Sequence, residues 1–166
     1  MSGAWRPMRP ADLAAVTALA DRVHVEHPEA PAIFAERLDL FPSGCLALAA
    51  GAEILGYAVA HPGRIGAPPA LNTLLGQLPT DADCLYLHDV ALAPEARGHG
   101  QGASLLPHIV ATARRHCLAR LALIAVAGSE PFWQRQGFRR EDAPALGVKL
   151  ASYGTDAIYM ARAVGG

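Results

Sequence analysis

The stretch from Val90 to Gly102 constrains the fold of this chain more than any other part of it. It passes from an apolar, strand-like run through a glycine-rich turn into a helical pattern. The first N–H groups of a helix lack intrahelical partners, and the helix dipole adds roughly half a positive charge there. Gly98, Gly100 and Gly102 leave no Cβ atoms in the way of an anion, and Arg97 adds a forked donor. The stretch therefore predicts a diphosphate site at a strand-to-helix joint.

Two common nucleotide-binding motifs fit this stretch poorly. A dinucleotide fingerprint needs the spacing G-x-G-x-x-G and an acidic residue about 20 positions later, whereas this loop has G-x-G-x-G and no such residue. A P-loop ends in Gly-Lys-Ser/Thr, whereas this loop ends in Gly102-Ala103-Ser104. Any strand-to-helix joint can be rich in glycine, so a second motif is needed to decide the class of site.

That second motif is the segment from Phe132 to Phe138. Its sequence, Phe-Trp-x-x-x-Gly-Phe, is similar to the Phe-Tyr-x-x-x-Gly-Phe segment of the GNAT superfamily of acyl-CoA-dependent N-acetyltransferases. The glycine-rich turn resembles the Arg/Gln-x-x-Gly-x-Gly/Ala signature of the same family, with Arg97, Gly100 and Gly102 in the signature positions. Two motifs in the family's order, separated by a helix and a strand, are far more specific than either motif alone.

The resemblance implies acetyl-CoA as co-substrate and no metal. In this family the pantetheine arm lies between splayed fourth and fifth strands and bonds to the backbone of the fourth. The reaction is a direct attack of an amine on the thioester. The implied contacts of acetyl-CoA are Val90, Leu92, Arg97, Gly98, His99, Gly100, Gln101, Gly102, Ala103, Ser129, Phe132 and Trp133.

Length and charge narrow the class of protein further. A chain of 166 residues, 52% hydrophobic and 17% charged, is expected to form one domain over 1–166. The net charge of −1 argues against a nucleic-acid partner. The apolar runs are shorter than the roughly 20 residues of a membrane span, and no signal-peptide core is visible, so we expect a cytoplasmic protein without membrane contact. We interpret the cysteines as buried small apolar residues: Cys45, Cys84 and Cys117.

The periodicity of apolar residues predicts strands first and then strands alternating with helices. The predicted strands are Ala4–Met8, Cys45–Ala49, Ile54–Ala60, Leu85–Leu92, Leu121–Val126, Phe138–Arg140 and Ala157–Ala161. The predicted helices are one that starts over Arg9–Asp12, then Pro31–Leu38, Gly100–Cys117 and Pro131–Gln136. Pro107 would bend the third of these helices. The predicted fold class is α/β, a single mixed, mostly antiparallel sheet with splayed fourth and fifth strands and helices on both faces.

Two connecting segments are candidates for contact with an acceptor. The segment 61–83 is rich in proline and glycine and long for a compact domain, which is typical of a lid, a binding loop or a partner surface. Its leucines suggest partial packing through a short helical piece. The first two helices, which flank the acceptor cleft in the GNAT family, are accompanied by polar residues that we interpret as a solvated loop, with substrate contact as the alternative: His24, Glu26, His27 and Glu29.

The amine proton is the chemical problem in this reaction. An alkylammonium with a pKa near 10.4 is free base to about one part in two thousand at pH 7, so a base helps greatly. Alternate residues of a strand share a face, so one face is predicted to carry Tyr86, His88, Val90 and Leu92, and the other Leu85, Leu87, Asp89 and Ala91. Histidine titrates near neutral pH, which makes His88 the candidate base with Tyr86 beside it.

Alternatives to this assignment stay open. His88 could be merely hydrogen-bonded within the sheet, although the arylalkylamine branch of the family has imidazoles at equivalent positions. His61, at the end of the third strand, could also face the cleft, and Asp89 could pair with a basic side chain. His108 and His116 are expected on a helix surface.

Trp133 is where this sequence departs from the family pattern. Many members have a tyrosine there whose hydroxyl can protonate the departing thiolate, whereas an indole donates a hydrogen bond but is no ordinary acid. We interpret Trp133 as a core aromatic or a wall of the acyl pocket. Ser129, Tyr153 or water could supply the proton instead, and a thiol with a pKa near 8.5 already leaves readily.

These observations favour an acetyl-CoA-dependent N-acetyltransferase that acts on a primary amine of a small molecule. The near-neutral charge offers no docking surface for basic protein tails. The alternatives are a protein N-acetyltransferase and a non-catalytic acyl-CoA-binding or sensing module. A homodimer is compatible with the sequence.

Overall fold

The computed structural model describes residues 2–165 and contains one seven-stranded sheet in the order β1-β2-β3-β4-β5-β7-β6. The strands are β1 Ala4–Pro7, β2 Cys45–Ala50, β3 Glu53–Gly63, β4 Cys84–Leu92, β5 Arg120–Ala125, β6 Arg139–Arg140 and β7 Ile158–Ala163. β2 and β3 form the predicted hairpin through the turn at Gly51 and Ala52. The sheet confirms the predicted α/β class.

The sheet opens between β4 and β5, which form the only parallel pair among the described strands. Their pairing covers Cys84–Leu87 of β4 against Arg120–Leu123 of β5. β4 then continues to Leu92 without a β5 partner, although it stays paired with β3. The predicted splay of the fourth and fifth strands is therefore confirmed.

Helices cover both faces of the sheet. α1 Leu13–Val23 and α2 Pro31–Leu40 pack on one face, where Val16 and Phe34 share a core with Tyr57. α3 Leu106–Arg115 and α4 Glu130–Arg135 pack on the other, where Ile109 and Trp133 share a core with Leu121. A short helix that the sequence analysis does not predict, α5 Gly147–Ser152, precedes β7. Within residues 2–165 no helix could cross a bilayer, and no three potential metal ligands form a group.

β4 contains a bulge at His88. Val59 of β3 lies opposite Asp89, and Ala60 lies opposite Leu87, so β4 has one more residue than β3 between these two pairs. A bulge of this kind inserts an unpaired residue and shifts the phase of all later side chains by one. The side chains of β4 directly after His88 therefore point to the face opposite to the one that a regular strand would give them.

This phase shift makes part of the predicted alternation wrong. Tyr86 and His88 share a face as predicted, but Val90 packs against the core on the α3 side, whereas Leu92 packs against the core of α1 and α2. Asp89 instead lies on the α1 and α2 side. A pattern with period two holds only in a regular strand, and the bulge breaks that regularity.

The helix after the glycine-rich loop starts later than predicted. A 3-10 turn over Ala103–Leu105 precedes α3, so Pro107 is the second residue of the helix. Proline is tolerated in the first turn because its missing N–H would have no intrahelical partner there. Pro107 therefore removes no hydrogen bond from α3, and the reason for the predicted bend does not apply. Cys117, which follows α3, is exposed rather than buried, whereas the other two cysteines are buried as predicted.

The long connection is shorter than predicted, because β3 continues to Gly63. The remaining residues 64–83 contain no helix, so the predicted helical piece is wrong. This segment packs on α2 instead: Glu36 accepts the backbone N–H groups of Leu75 at 2.6 Å and Gly76 at 3.0 Å. Its leucines divide between partial packing at Leu78 and exposure at Leu74.

Candidate active site

The loop between β4 and α3 leaves room for an anion at its glycines. Gly98 and Gly100 have φ values of +82° and +73°, and a Cβ built on either one would meet no heavy atom within 4 Å. The N–H groups of residues 98–103 donate to no acceptor in the described part of the chain. The N–H of Ser104 is the first to donate, to the Gly100 carbonyl at 3.0 Å. A row of free N–H groups beside open space fits a diphosphate.

Two side chains brace this loop. Trp5 donates from Nε1 to the Gln101 carbonyl at 2.9 Å, and Arg97 donates from Nε to the Leu92 carbonyl at 3.2 Å. The Arg97 and His99 side chains are exposed on the loop. Because Arg97 already contacts the Leu92 carbonyl, it links the end of β4 to the loop while its terminal nitrogens face solvent.

The second sequence motif lies against this loop. A Cβ on Gly102 would come within 3.1 Å of the Phe132 ring, so the absence of a side chain at Gly102 lets α4 approach. The neighbouring Trp133 is 8% exposed and packs edge-on against Phe132 and Phe138, with ring centroids 4.9 and 5.5 Å away. The carbonyl of Ser129 accepts the N–H of Trp133 at the start of α4. The structure therefore brings the two motifs together.

On the other side of the open strands, the bulge brings His88 to the connection between α1 and α2. Its Nε2 lies 2.8 Å from Oε1 of Glu29, and the side chains are 0% and 6% exposed. Burial opposes the charged form of Glu29, but the His88 hydrogen bond and charge, with the Asn72 N–H, outweigh it and lower the pKa of Glu29. When His88 is neutral, a charged Glu29 places the imidazole proton on Nε2, which leaves the buried Nδ1 as an acceptor without a partner among the described residues.

Asp89, the next residue, contacts the same connection. Its carboxylate accepts a hydrogen bond from the Tyr57 hydroxyl at 2.6 Å and lies 2.8 Å from Nε2 of His24. The Asp89 hydrogen bond raises the pKa of His24 against the effect of burial. The interpretation of His24 and Glu29 as a solvated loop is therefore wrong, whereas the exposure expected for that loop is found at Glu26 and His27.

Three buried rings, those of His61, Tyr86 and His88, form a ring cluster beside β4. The ring centroids of His61 and Tyr86 are 5.5 Å apart, and each lies 6.3 Å from His88. Each ring has a buried polar atom without a partner among the described residues, namely Nε2 of His61, the Tyr86 hydroxyl and Nδ1 of His88. Nδ1 of His61 donates to the Pro62 carbonyl at 2.9 Å, so Nε2 is an acceptor. Unsatisfied buried polar atoms are costly, which favours contact of these atoms with a polar group that the chain does not supply.

Tyr153 adjoins this ring cluster from the α5 side. Its hydroxyl donates to the Pro69 carbonyl at 2.7 Å, and burial raises the pKa of Tyr153 to about 12. Burial also raises the pKa of Tyr86 well above its ordinary value. Both phenols therefore stay protonated at neutral pH, so Tyr86 can form hydrogen bonds there but cannot act as an ionised base.

Burial of His61 makes stability depend on pH. Desolvation lowers the pKa of His61 from 6.5 to about 4, so its neutral form stabilises the fold above pH 6.5 and this contribution is lost as the pH falls toward 4. We expect that lowering the pH from 7 to 5 costs the wild type about 2 kcal/mol more than His61→Asn. Urea unfolding at both pH values measures this difference. The exposed His108→Asn is the control, and equal losses in wild type and His61→Asn would contradict the assignment.

The comparisons with known proteins agree with this geometry. A model described as the Acetyltransferase (GNAT) family matches residues 13–138. The chain belongs to the GNAT family. GNAT acetyltransferases use acetyl-CoA as co-substrate, and the match spans both the glycine-rich loop and α4. None of the curated proteins compared with the chain matches it.

Solved GNAT structures share this fold at low sequence identity. The GNAT-like decarboxylase GphF in complex with isobutyryl-CoA has a TM-score of 0.77 at 20% identity, over 97% of this chain and 99% of that chain. N-acetylglutamate synthase from Neisseria gonorrhoeae, complexed with coenzyme A and N-acetyl-glutamate, has a TM-score of 0.71 at 19% identity, over 99% of this chain and 35% of that chain. Arabidopsis thaliana Naa50, in complex with the bisubstrate analogue CoA-Ac-MVNAL, has a TM-score of 0.69 at 14% identity, over 98% of this chain and 99% of that chain.

Sequence reasoning missed Glu29 as the partner of His88. Glu29 lies two residues before α2, and only the folding of the α1 to α2 connection onto the bulge brings it to β4. A carboxylate just before a proline-initiated helix is a weak local signal. The usable signal for Glu29 was its position in the connection between the first two helices, beside the predicted acceptor cleft.

Proposed function

We propose that this protein transfers the acetyl group of acetyl-CoA directly to a primary amine of a small molecule, with His88 as the base. The observation that carries the proposal is the buried pair of His88 and Glu29, 2.8 Å apart, with Nδ1 of His88 left without a partner. A carboxylate that fixes the tautomer and orientation of an imidazole is a common arrangement for a general base. The pair lies where β4 separates from β5.

The step moves two protons and exchanges one bond. Nδ1 of His88 removes the first proton from the ammonium, the amine nitrogen attacks the thioester carbonyl carbon, a C–N bond forms and the C–S bond breaks. The CoA thiolate leaves with the electron pair, and the second proton of the nitrogen passes to the thiolate or to solvent, which leaves a neutral amide. A thiol with a pKa near 8.5 leaves without an acid close by, so the missing tyrosine hydroxyl at Trp133 is tolerated.

Acetyl-CoA is proposed to lie along the opening between β4 and β5, with its diphosphate on the loop from Arg97 to Ala103. Free backbone N–H groups and the left-handed conformations of Gly98 and Gly100 support this placement. Val90 and Leu92 would contact the pantetheine arm, and Phe132 and Trp133 lie on the α4 side of the loop. His99, Gln101 and Ser129 complete the proposed contacts.

A small acceptor is favoured over a protein by the way the segment 64–83 covers the ring cluster. Asn72 Oδ1 accepts the Ala30 N–H at 2.7 Å, and Oε2 of Glu29 accepts the Asn72 N–H at 2.8 Å. The Tyr153 hydroxyl bonds to the same segment at Pro69. These contacts keep His88 and His61 almost fully buried, which favours a small acceptor over a peptide.

Release of free CoA thiol tests this proposal against a sensing role. We expect acetyl-CoA to raise the melting temperature and at least one amine of a small-molecule library to accelerate thiol release. At 100 times its dissociation constant, acetyl-CoA would stabilise the fold by about 2.7 kcal/mol. Gly100→Glu places a negative charge on the diphosphate loop and is expected to lose both effects. Stabilisation by acetyl-CoA without amine-dependent release would instead support a sensor.

A further inference from the structure

Arg37 is a cation inside the protein core. It lies on the buried face of α2 with Ile33, Phe34 and Leu38, and its side chain is 0% exposed. A guanidinium stays charged in proteins, and burying one is costly unless its donors are paired. Burial lowers the pKa of Arg37, and the charges of Glu29 and Glu36 act against that effect.

Only one edge of the Arg37 guanidinium is satisfied. Its Nη1 donates to Oε1 of Glu36 at 3.0 Å and to the Thr73 carbonyl at 2.9 Å. Nε and Nη2 are buried and have no partner among the described residues. These two nitrogens form the side-on edge of the planar fork, whose spacing matches the two oxygens of a carboxylate.

Glu36 is not available to satisfy this free edge. Its Oε1 accepts from the Leu75 N–H and from Nη1 of Arg37, and its Oε2 accepts from the Gly76 N–H. The Glu36 carboxylate is therefore committed to the segment 64–83. The edge formed by Nε and Nη2 is left for a group that the chain itself does not supply.

Hydrogen bonds connect Arg37 to the ring cluster. The Thr73 carbonyl, which accepts from Nη1 of Arg37, follows Asn72, whose N–H donates to Oε2 of Glu29 at 2.8 Å. Oε1 of the same Glu29 lies 2.8 Å from Nε2 of His88. The cluster therefore has acceptors for an amine in Nδ1 of His88 and Nε2 of His61, and a double donor nearby in Arg37. The two kinds of group are complementary to the opposite ends of one zwitterion.

We propose that the acceptor is an amine that also carries a carboxylate, and that Nε and Nη2 of Arg37 bind this carboxylate in a bidentate pair. This inference rests on the proposed acetyl transfer and adds the substrate class. The amine end contacts His88 and His61 near the negative charges of Glu29 and Asp89. Bound in this way, the zwitterion satisfies the unpaired buried donors of Arg37 and the unpaired acceptors of the rings together.

Matched acceptors test the inference without altering the protein. Amino acids with the amine at the α or ω carbon are each compared with their primary carboxamides, in which the carboxylate is replaced by a neutral group of similar size. We expect kcat/KM from thiol release to be at least about tenfold higher for the acid, the range of a hydrogen bond to a charged group. The second readout is calorimetric binding of acid and amide to the protein saturated with acetyl-CoA.

Variants of Arg37 link the preference to this side chain. Arg37→Gln is expected to lose the preference for the acid while the acetyl-CoA melting shift is retained, and Arg37→Lys to recover only part of it. Arg37→Lys also serves if Arg37→Gln fails to fold, because it keeps the buried charge. Arg22→Gln is the matched control, since Arg22 is exposed and pairs with Glu95.

The outcomes separate the inference from the proposed function. Equal rates for acids and amides, or a preference that survives in Arg37→Gln, would overturn the carboxylate site while acetyl transfer stands. Absence of turnover with every amine would contradict acetyl transfer, and calorimetry would then decide the carboxylate site. Binding of acids that Arg37→Gln removes supports the site, and equal binding of acid and amide overturns it.

Discussion

Replacing His88 with alanine is expected to lower kcat at pH 7 by a factor of about 100 or more, the usual contribution of a general base. Acetyl-CoA affinity should change little, because the imidazole is proposed to act on the amine proton. Much of the lost rate should return at high pH, where the acceptor amine loses its proton to solvent. Thiol release measured from pH 6 to pH 10 for both proteins gives the two profiles.

Two further variants exclude a general loss of structure. His88→Gln keeps an N–H donor for the buried Glu29 but has no base, so it should be as slow as His88→Ala while melting near the wild type. His108→Ala removes an exposed histidine of α3 and should leave the rate unchanged. A pH–rate profile that is the same in wild type and His88→Ala would exclude His88 as the base.

Trp133→Ala is expected to destabilise the fold by roughly 3–5 kcal/mol, the usual cost of truncating a buried aromatic side chain. The indole is 8% exposed and packs against Phe132 and Phe138, so truncation would leave a cavity near the glycine-rich loop. Urea unfolding monitored by circular dichroism measures the loss. Trp133→Phe should lose much less stability and keep its rate of thiol release.

The Phe variant also tests the chemistry at this position. A Trp133→Phe protein that folds and binds acetyl-CoA, yet turns over about a hundredfold more slowly, would show that the indole N–H acts in the chemical step. Trp133→Tyr should hold or raise the rate, because it restores a hydroxyl where many family members have one. A lower rate in the folded Tyr variant would instead point to a steric role for the indole.

The parts of the fold that depend on local sequence could be predicted. The glycine-rich loop, the short helix with Trp133 and the hairpin at Gly51 each follow from neighbouring residues, and the family resemblance implied the open strand pair. The start of α3 was predicted wrongly because a 3-10 turn and a helical turn share one apolar pattern. Helix boundaries are generally the least reliable part of such predictions.

The acceptor side depends on contacts between distant segments, and these carry little local signal. Glu29 and His88 are 59 residues apart, and Arg37 and Thr73 are 36 apart. Arg37 gave one usable hint, because it is a charged residue at the apolar spacing of α2. The bulge gave none, since a strand with one extra residue differs from a regular strand only when its partner is known.

The bulge at His88 also determines which kind of genetic change would alter this active site. A substitution in β4 replaces one side chain, whereas deleting one residue there would restore the regular alternation and turn either His88 or Asp89 to the opposite face. That single deletion would free either Glu29 or His24, and so detach one end of the α1 to α2 connection. The position of the proposed base and the attachment of the α1 to α2 connection therefore depend on the same bulge, and a change in the length of β4 would alter both together.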